Sequence, residues 1–292
     1  MHHERPSEHL LKFIRDSQGT APVDWRKPSG GHTEAERWIV TLADGRTLFA
    51  KGAVDALTAG WLHSEHRIYT QIQASYLPRF LAFGGRGEFP ILLLEDLSSG
   101  DWPPPWNEVR VQKVMDTLGT IAGTPLPSAL PSLEEALGSS VGAWRRVQAD
   151  PSGLLGLGLC SREWLEETLP LFIEAEEECD LSGDSLVQAD IRSDNLCFMG
   201  DRTVVVDWNH ACVGNPKLDL IGWLPTLHFE GGPAPWDVNI QEKGLISLLS
   251  GYYASSAYKP EPRPDSTIRQ LQLKCLKVSL PWMGHTFGIP VY

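Results

Sequence analysis

The chain has 292 residues, 42% of them hydrophobic and 21% charged, which suits one large globular domain or two lobes. No apolar run approaches the ~18 residues of a membrane span, and the opening MHHERPSEHLLKF holds no hydrophobic stretch that could serve as a secretion signal. The net charge of −12, from 25 basic and 37 acidic side chains, argues against nucleic acid as a partner, because phosphate backbones are bound through Lys and Arg.

The first third reads as strand-rich. Trp38–Ala43 and Arg46–Lys51 flank Asp44-Gly45, a strong hairpin signal, and the small residues Ser29-Gly30-Gly31-His32-Thr33 precede them. Residues 54–72 are expected to form a helix with Val54, Leu57, Trp61, Ile68 and Ile72 on one stripe. Glu65 falls on that stripe. Either it lies exposed at the edge or it is buried with a cation, for which Lys51 at the end of the hairpin is the candidate. Leu77–Phe83 and Pro90–Leu94 read as short strands around Gly84-Gly85-Arg86-Gly87, and ILLLEDL (Ile91–Leu97) closes the strand-rich part. After Ser98-Ser99-Gly100-Asp101, read as a linker, the pattern turns helical. Helices are expected over Glu108–Ala122, Leu133–Gln148, Ser161–Cys179, Lys217–Leu227, Ile240–Ala254 and Ser266–Leu276. The five cysteines show no close pairing, so a disulfide framework or zinc site is not expected and a reducing cytoplasm is.

The most informative stretch is VQADIRSDNLCF (Val187–Phe198), followed by TVVVDW ending at Trp208. Leu196–Met199 and Thr203–Val206 flank the turn cluster Gly200-Asp201-Arg202, so a hairpin is expected there. Antiparallel pairing then sets Asn195 opposite a residue between Val206 and Trp208. Directly opposed residues lie ~5 Å apart, close enough for Asn195 and Asp207 to share a cation. Two hard oxygen ligands with a further carboxylate, Asp190, nearby describe a magnesium–nucleotide site that acts on a hydroxyl.

Taken together, Lys51, Glu65, the ILLLEDL run, Asp190-x4-Asn195 and Asp207-Trp208 resemble the aminoglycoside phosphotransferase and choline kinase-like family. Phe49-Ala50-Lys51 and Gly214-Asn215-Pro216-Lys217-Leu218-Asp219-Leu220 are similar to two further family segments. The resemblance implies an α+β, bilobal protein-kinase-like fold: residues 1–97 as a β-rich nucleotide-binding lobe and 98–292 as an α-rich catalytic and substrate lobe, with a cleft at the linker. It implies Asp190 as the catalytic aspartate, Asn195 and Asp207 as Mg2+ ligands, Lys51 on the α- and β-phosphates, and Glu65 steadying Lys51. Glu95, Asp96 and Leu97 would form the adenine hinge, and Gly30 and Gly31 the nucleotide loop. Asp219, with Arg192 and Asp194, would shape the catalytic loop. The sequence departs from the family in three places. Gln188 stands where His is usual, Ala189 where Gly is frequent, and Ser29–Thr33 lacks a G-x-G-x-x-G pattern.

The expected reaction is transfer of the γ-phosphoryl group of ATP or GTP to a hydroxyl of a small molecule. The acidic balance fits either simple solubility or a cationic acceptor such as an aminoglycoside-like antibiotic. A metabolic sugar, amino-alcohol or choline-like compound is the alternative, and a nucleotide-binding pseudokinase a further one. A protein kinase is less compatible with the short stretch after Asp207, which reaches Gly214 in seven residues. Trp102, Trp106, Trp223, His228, Glu230, Trp236 and Asp237 are candidate acceptor-wall residues, since Trp faces stack on rings or cations and carboxylates pair with ammonium groups.

Overall fold

The computed structural model describes residues 5–28, 35–85, 89–263 and 266–290. In chain order its elements are α1 (Glu8–Gln18), β1 (Pro22–Arg26), β2 (Glu36–Leu42), β3 (Thr47–Gly52), α2 (Ala56–Gln71), β4 (Phe80–Gly84), β5 (Ile91–Glu95), α3 (Glu108–Ala122), α4 (Leu133–Leu137), α5 (Ala143–Ala149), α6 (Ser152–Gly156), α7 (Arg162–Glu177), β6 (Ser185–Val187), β7 (Leu196–Met199), β8 (Arg202–Val205), β9 (Cys212–Gly214), α8 (Lys217–Phe229), α9 (Lys243–Ala254) and α10 (Ile268–Phe287). They fall into two compact units. The first comprises residues 1–103, 127–129 and 194–211; the second comprises 104–126, 130–193 and 212–292.

An antiparallel sheet of order β1-β2-β3-β5-β4 builds the first unit. Alternation along β2 sends Trp38, Val40 and Leu42 to one face, where they bury with Leu48 and Ala50 of β3 and with Leu10 and Ile14 of α1. Helix α1 was not anticipated, although its signals are local: Ser7 caps its start, Leu10, Leu11 and Ile14 share a face, and Gly19 closes it at φ 69°.

The β2–β3 turn differs from the expected two-residue loop. Gly45 N–H donates to the Leu42 carbonyl at 2.9 Å and Leu42 N–H to that of Arg46 at 2.8 Å, leaving Ala43-Asp44-Gly45 as a three-residue loop with Gly45 at φ 86°. The register is therefore Arg37↔Lys51, Trp38↔Ala50 and Thr41↔Thr47.

On α2 the buried face also differs from the expected stripe. Val54 and Leu57 are exposed, while Thr58, Ala59, Leu62, Glu65, Ile68 and Tyr69 are buried. Steps of three and four residues from Glu65 reach Leu62, Thr58, Ile68 and Tyr69, so the helix turns this face inward to bring the carboxylate to Lys51.

In the second unit, α3 has the expected bounds, whereas the single helix expected over residues 133–148 breaks into α4, a 3-10 turn and α5. Gly138 at φ 47° and Gly142 at φ 71° end one helix and start the next. Helix α10 runs past the expected stop at Leu276 and through Pro281, carried by the buried residues Val278, Leu280, Trp282 and Met283. The short ribbon β6–β9 leads directly into residues 188–193. Among the described residues no helix is long and apolar enough to cross a membrane.

Candidate active site

Lys51, near the end of β3, is the centre of the first unit's charge cluster. It is 2% exposed, and its Nζ donates to Glu65 Oε1 at 2.5 Å and to Asp207 Oδ1 at 2.7 Å. A buried ammonium is costly unless paired, and the fold supplies two carboxylates from distant parts of the chain. Burial alone would lower the Lys51 pKa; Asp207 and Glu65 outweigh it, and the net shift is upward, so the cation is fixed. Burial pushes the Glu65 carboxyl up to about 7, against the pull of Lys51. Of the two readings open for Glu65, exposure at a helix edge is overturned: it is 1% exposed.

The hairpin β7–β8 brings Asn195 and Asp207 to one end. Pairing runs from Met199↔Arg202 to Leu196↔Val205, so the turn is Gly200-Asp201 and Arg202 belongs to the strand. Gly200 takes φ 59°, as the first residue of a tight hairpin turn requires. Val206 N–H then donates to the Asn195 carbonyl at 3.0 Å, and Asp207 follows in the left-handed region at φ 57°. Asn195 is buried, whereas the Asp207 side chain is 28% exposed. An amide oxygen and a carboxylate are hard donors that fit Mg2+, an ion that keeps waters and takes phosphate oxygens around one or two protein ligands. Among the described residues there is no cluster of three or more His, Cys, Asp or Glu able to hold a metal.

The hinge candidates are partly engaged within the unit. Glu95 accepts from Arg79 N–H at 3.0 Å, pairs with Arg202 at 3.2 Å, and donates its own N–H to the Arg79 carbonyl. Asp96 accepts from Ser98 N–H at 2.9 Å, and the Leu97 carbonyl accepts from Gly100 N–H and from Trp102 Nε1. Trp102 thus belongs to the first unit, whereas Trp106, Trp223 and Trp236 belong to the second. Gly30 and Gly31 lie outside the described residues.

The loop carrying Asp190 belongs to the second unit and is braced through its backbone. Asp219, in the first turn of α8, accepts from Gln188 N–H at 2.9 Å and Ala189 N–H at 2.7 Å. Ala189 sits at φ 66°, which aims both amides at one carboxylate. The Gln188 side chain turns back to accept from Asp190 N–H at 2.7 Å. Gln188 is fully buried, and a glutamine oxygen provides the acceptor that this amide needs. Arg192 pairs with Asp190 at 3.5 Å. Burial raises the Asp219 carboxyl to about 7 against the two amides that lower it, and the charge of Asp190 acts in the same upward direction.

The remaining candidates gather at the C-terminal end of α8. Trp106 packs edge-on against Trp223 at 5.3 Å, His228 against Trp236 at 5.4 Å, and Trp236 stacks on His285 of α10 at 4.7 Å. Trp106 Nε1 donates to Glu230 Oε2 at 3.0 Å, and the Ser193 hydroxyl bonds the same oxygen, tying this cluster to the Asp190 loop. Trp223 is fully buried, and its Nε1, like His228 Nδ1, has no hydrogen-bond partner among the described residues. Asp237 is exposed at the end of a 3-10 turn. Sequence reasoning missed Ser193 and His285. Ser193 could have been suspected from its place in the loop; nothing local marks His285.

The sequence pattern of the phosphotransferase enzyme family (APH) matches residues 24–255. The fold is similar to that of a choline/ethanolamine kinase family protein from Mesorhizobium loti, at 10% identity over 96% of this chain and 98% of that one, with a TM-score of 0.57. It is also similar to a thermostable mutant of aminoglycoside phosphotransferase APH(4)-Ia, at 14% identity, 96% and 97% coverage and a TM-score of 0.55. A putative fructosamine-3-kinase from Haemophilus somnus 129PT gives 12% identity, 93% and 97% coverage and a TM-score of 0.54. No curated protein sequence matches the chain. At these identities the structures speak to fold, and the α+β bilobal, protein-kinase-like architecture is the shared one.

Proposed function

The chain belongs to the phosphotransferase enzyme family, whose kinases phosphorylate hydroxyl groups of small molecules, and from that premise we propose that it moves the γ-phosphoryl group of ATP or GTP to a cationic, hydroxylated acceptor of aminoglycoside-like type. The observation that carries the nucleotide half is the buried Lys51, held by Glu65 and Asp207. An ammonium fixed between two carboxylates, in the same unit as Asn195, is suited to a polyphosphate with its cation. Asn195 and Asp207 would hold Mg2+, which when bound offsets phosphate charge. Lys51 would hold the α- and β-phosphates, and the backbone near Asp96 would meet the base. Asp190 would accept or orient the proton of the attacking hydroxyl. The nucleotide half thus belongs to the strand-rich lobe and the acceptor half to the helical one.

The net charge of −12 supports a cationic acceptor, and Trp106, Trp236 and His285 offer aromatic faces on which it could rest. A compact amino-alcohol or choline-like acceptor is the second reading, favoured by the engagement of Glu230 Oε2 with Trp106 and Ser193, which ties up acidic capacity that a polycation would use. An antibiotic-inactivating role follows from the first reading and a metabolic role from the second. Five cysteines without a disulfide fit a reducing cytoplasm.

Two measurements test the proposal. Mg-ATP should raise the melting temperature more than ATP with a chelator; equal shifts would remove the metal role. Purified enzyme should release ADP with one member of a panel of aminoglycosides, other hydroxylated antibiotics, sugars and amino-alcohols. Release only with a neutral sugar would defeat the cationic-acceptor assignment.

A further inference from the structure

The register of the β2–β3 hairpin sets a second cation beside Lys51. Arg37 is directly opposite Lys51, so both side chains leave the same face of the sheet, with Cβ atoms about 5 Å apart. The neighbouring Trp38↔Ala50 pair points to the other face, into the core. Like charges directly opposed in a sheet are destabilising unless anions balance them.

Three carboxylates balance the two cations. Glu65 and Asp207 bond Lys51, and the half-buried Arg37 guanidinium feels Asp207 and then Asp194 most strongly among nearby anions. Burial lowers the Arg37 pKa and these carboxylates pull it back; a guanidinium remains charged throughout. The charge of Asp207, one of the two candidate metal ligands, thus acts on Arg37 as well as on Lys51.

The two side chains offer different chemistry. Lys51 is a point charge, whereas a guanidinium presents a planar fork that matches two phosphate oxygens at once. We propose that Arg37 is a second phosphate-binding cation of the nucleotide site, gripping the terminal phosphates from β2 while Lys51 holds the inner ones from β3. This rests on the nucleotide site assigned above. The competing role is purely supportive: Arg37 would fix Asp194 and Asp207 and never touch the nucleotide.

Calorimetric titration of the full chain separates the two roles. Wild type, Arg37→Gln and Arg37→Lys are each titrated with ATP, ADP and adenosine, or the guanosine series if the wild type prefers it, in Mg2+ and again in chelator. Arg37→Gln should leave nucleoside affinity unchanged and weaken the triphosphate about tenfold or more in both buffers, the worth of a charge-assisted contact. The loss should be smaller for the diphosphate, and Arg37→Lys should recover part of it. A triphosphate loss confined to the Mg2+ buffer overturns the proposal, because Arg37 would then act only through the metal carboxylates. Loss of nucleoside affinity in equal measure overturns it as well. Should Arg37→Gln fail to fold, Arg37→Lys alone decides: triphosphate affinity equal to wild type in chelator rejects the contact. A wild type that binds no nucleotide removes the site itself, an outcome distinct from failure of Arg37 alone.

Discussion

In the first unit a buried cation is held by two side chains from distant parts of the chain, whereas in the second a loop is held by its own backbone amides. Lys51 reaches Asp207 across 156 positions of sequence and Glu65 across 14, and each contact joins opposite charges. The Asp190 loop is fixed by Asp219 on two consecutive amides and by Gln188 on a third. The first arrangement stabilises a charge that would otherwise be costly to bury; the second holds a shape while leaving the Asp190 side chain about one-third exposed. Charge pairs of the first kind suit a site that must receive a polyanion and a metal. Backbone braces of the second kind suit a side chain that must be aimed.

The largest expected effect separates aiming from binding. Asp190→Asn should keep nucleotide affinity and lose about 10²–10⁴-fold in turnover, read by ADP release beside calorimetry. Turnover like that of wild type would move the base elsewhere. Next comes the charge cluster. Lys51→Met leaves Glu65 and Asp207 without their cation and should cost about 3–5 kcal/mol of stability in denaturant unfolding. Glu65→Gln, which still offers an acceptor, should cost less; the reverse order would mean that Glu65, not Lys51, organises the centre.

The backbone-braced loop should respond more gently. Gln188→Leu removes the acceptor for Asp190 N–H and should cost about 1–3 kcal/mol, with a fall in turnover and little change in nucleotide affinity. An unchanged turnover would show that this brace does not aim Asp190. The smallest effect is a gain. Ala189 at φ 66° carries left-handed strain that glycine lacks, and after the entropy cost of glycine Ala189→Gly should stabilise the protein by about 0.5–1 kcal/mol. A loss instead would mean that the Ala189 methyl contributes packing worth more than the strain.

Much of this could be read locally, because turns, caps and motif spacing act over a few residues. The Asp190-x4-Asn195 spacing, the β7–β8 hairpin and the bounds of α3 all follow from neighbours in sequence. That Ala189 stands where Gly is frequent has no visible consequence in sequence, because its backbone angle is set only when the loop closes on Asp219. Gln188 likewise takes on a role only once the fold buries it against the Asp190 amide.

The sequence by itself determined which residue types stand at which spacings, and hence the family, the strand-rich and helical halves, and the identity of the candidate metal and phosphate groups. Only tertiary structure decided which of them meet. One extra residue in the β2–β3 loop sets Arg37 rather than Trp38 opposite Lys51, since side chains alternate faces along a strand and a shift of one exchanges them. The inward face of α2 was settled in the same way, by the requirement that a buried ammonium find its carboxylates rather than by the hydrophobic stripe along the helix.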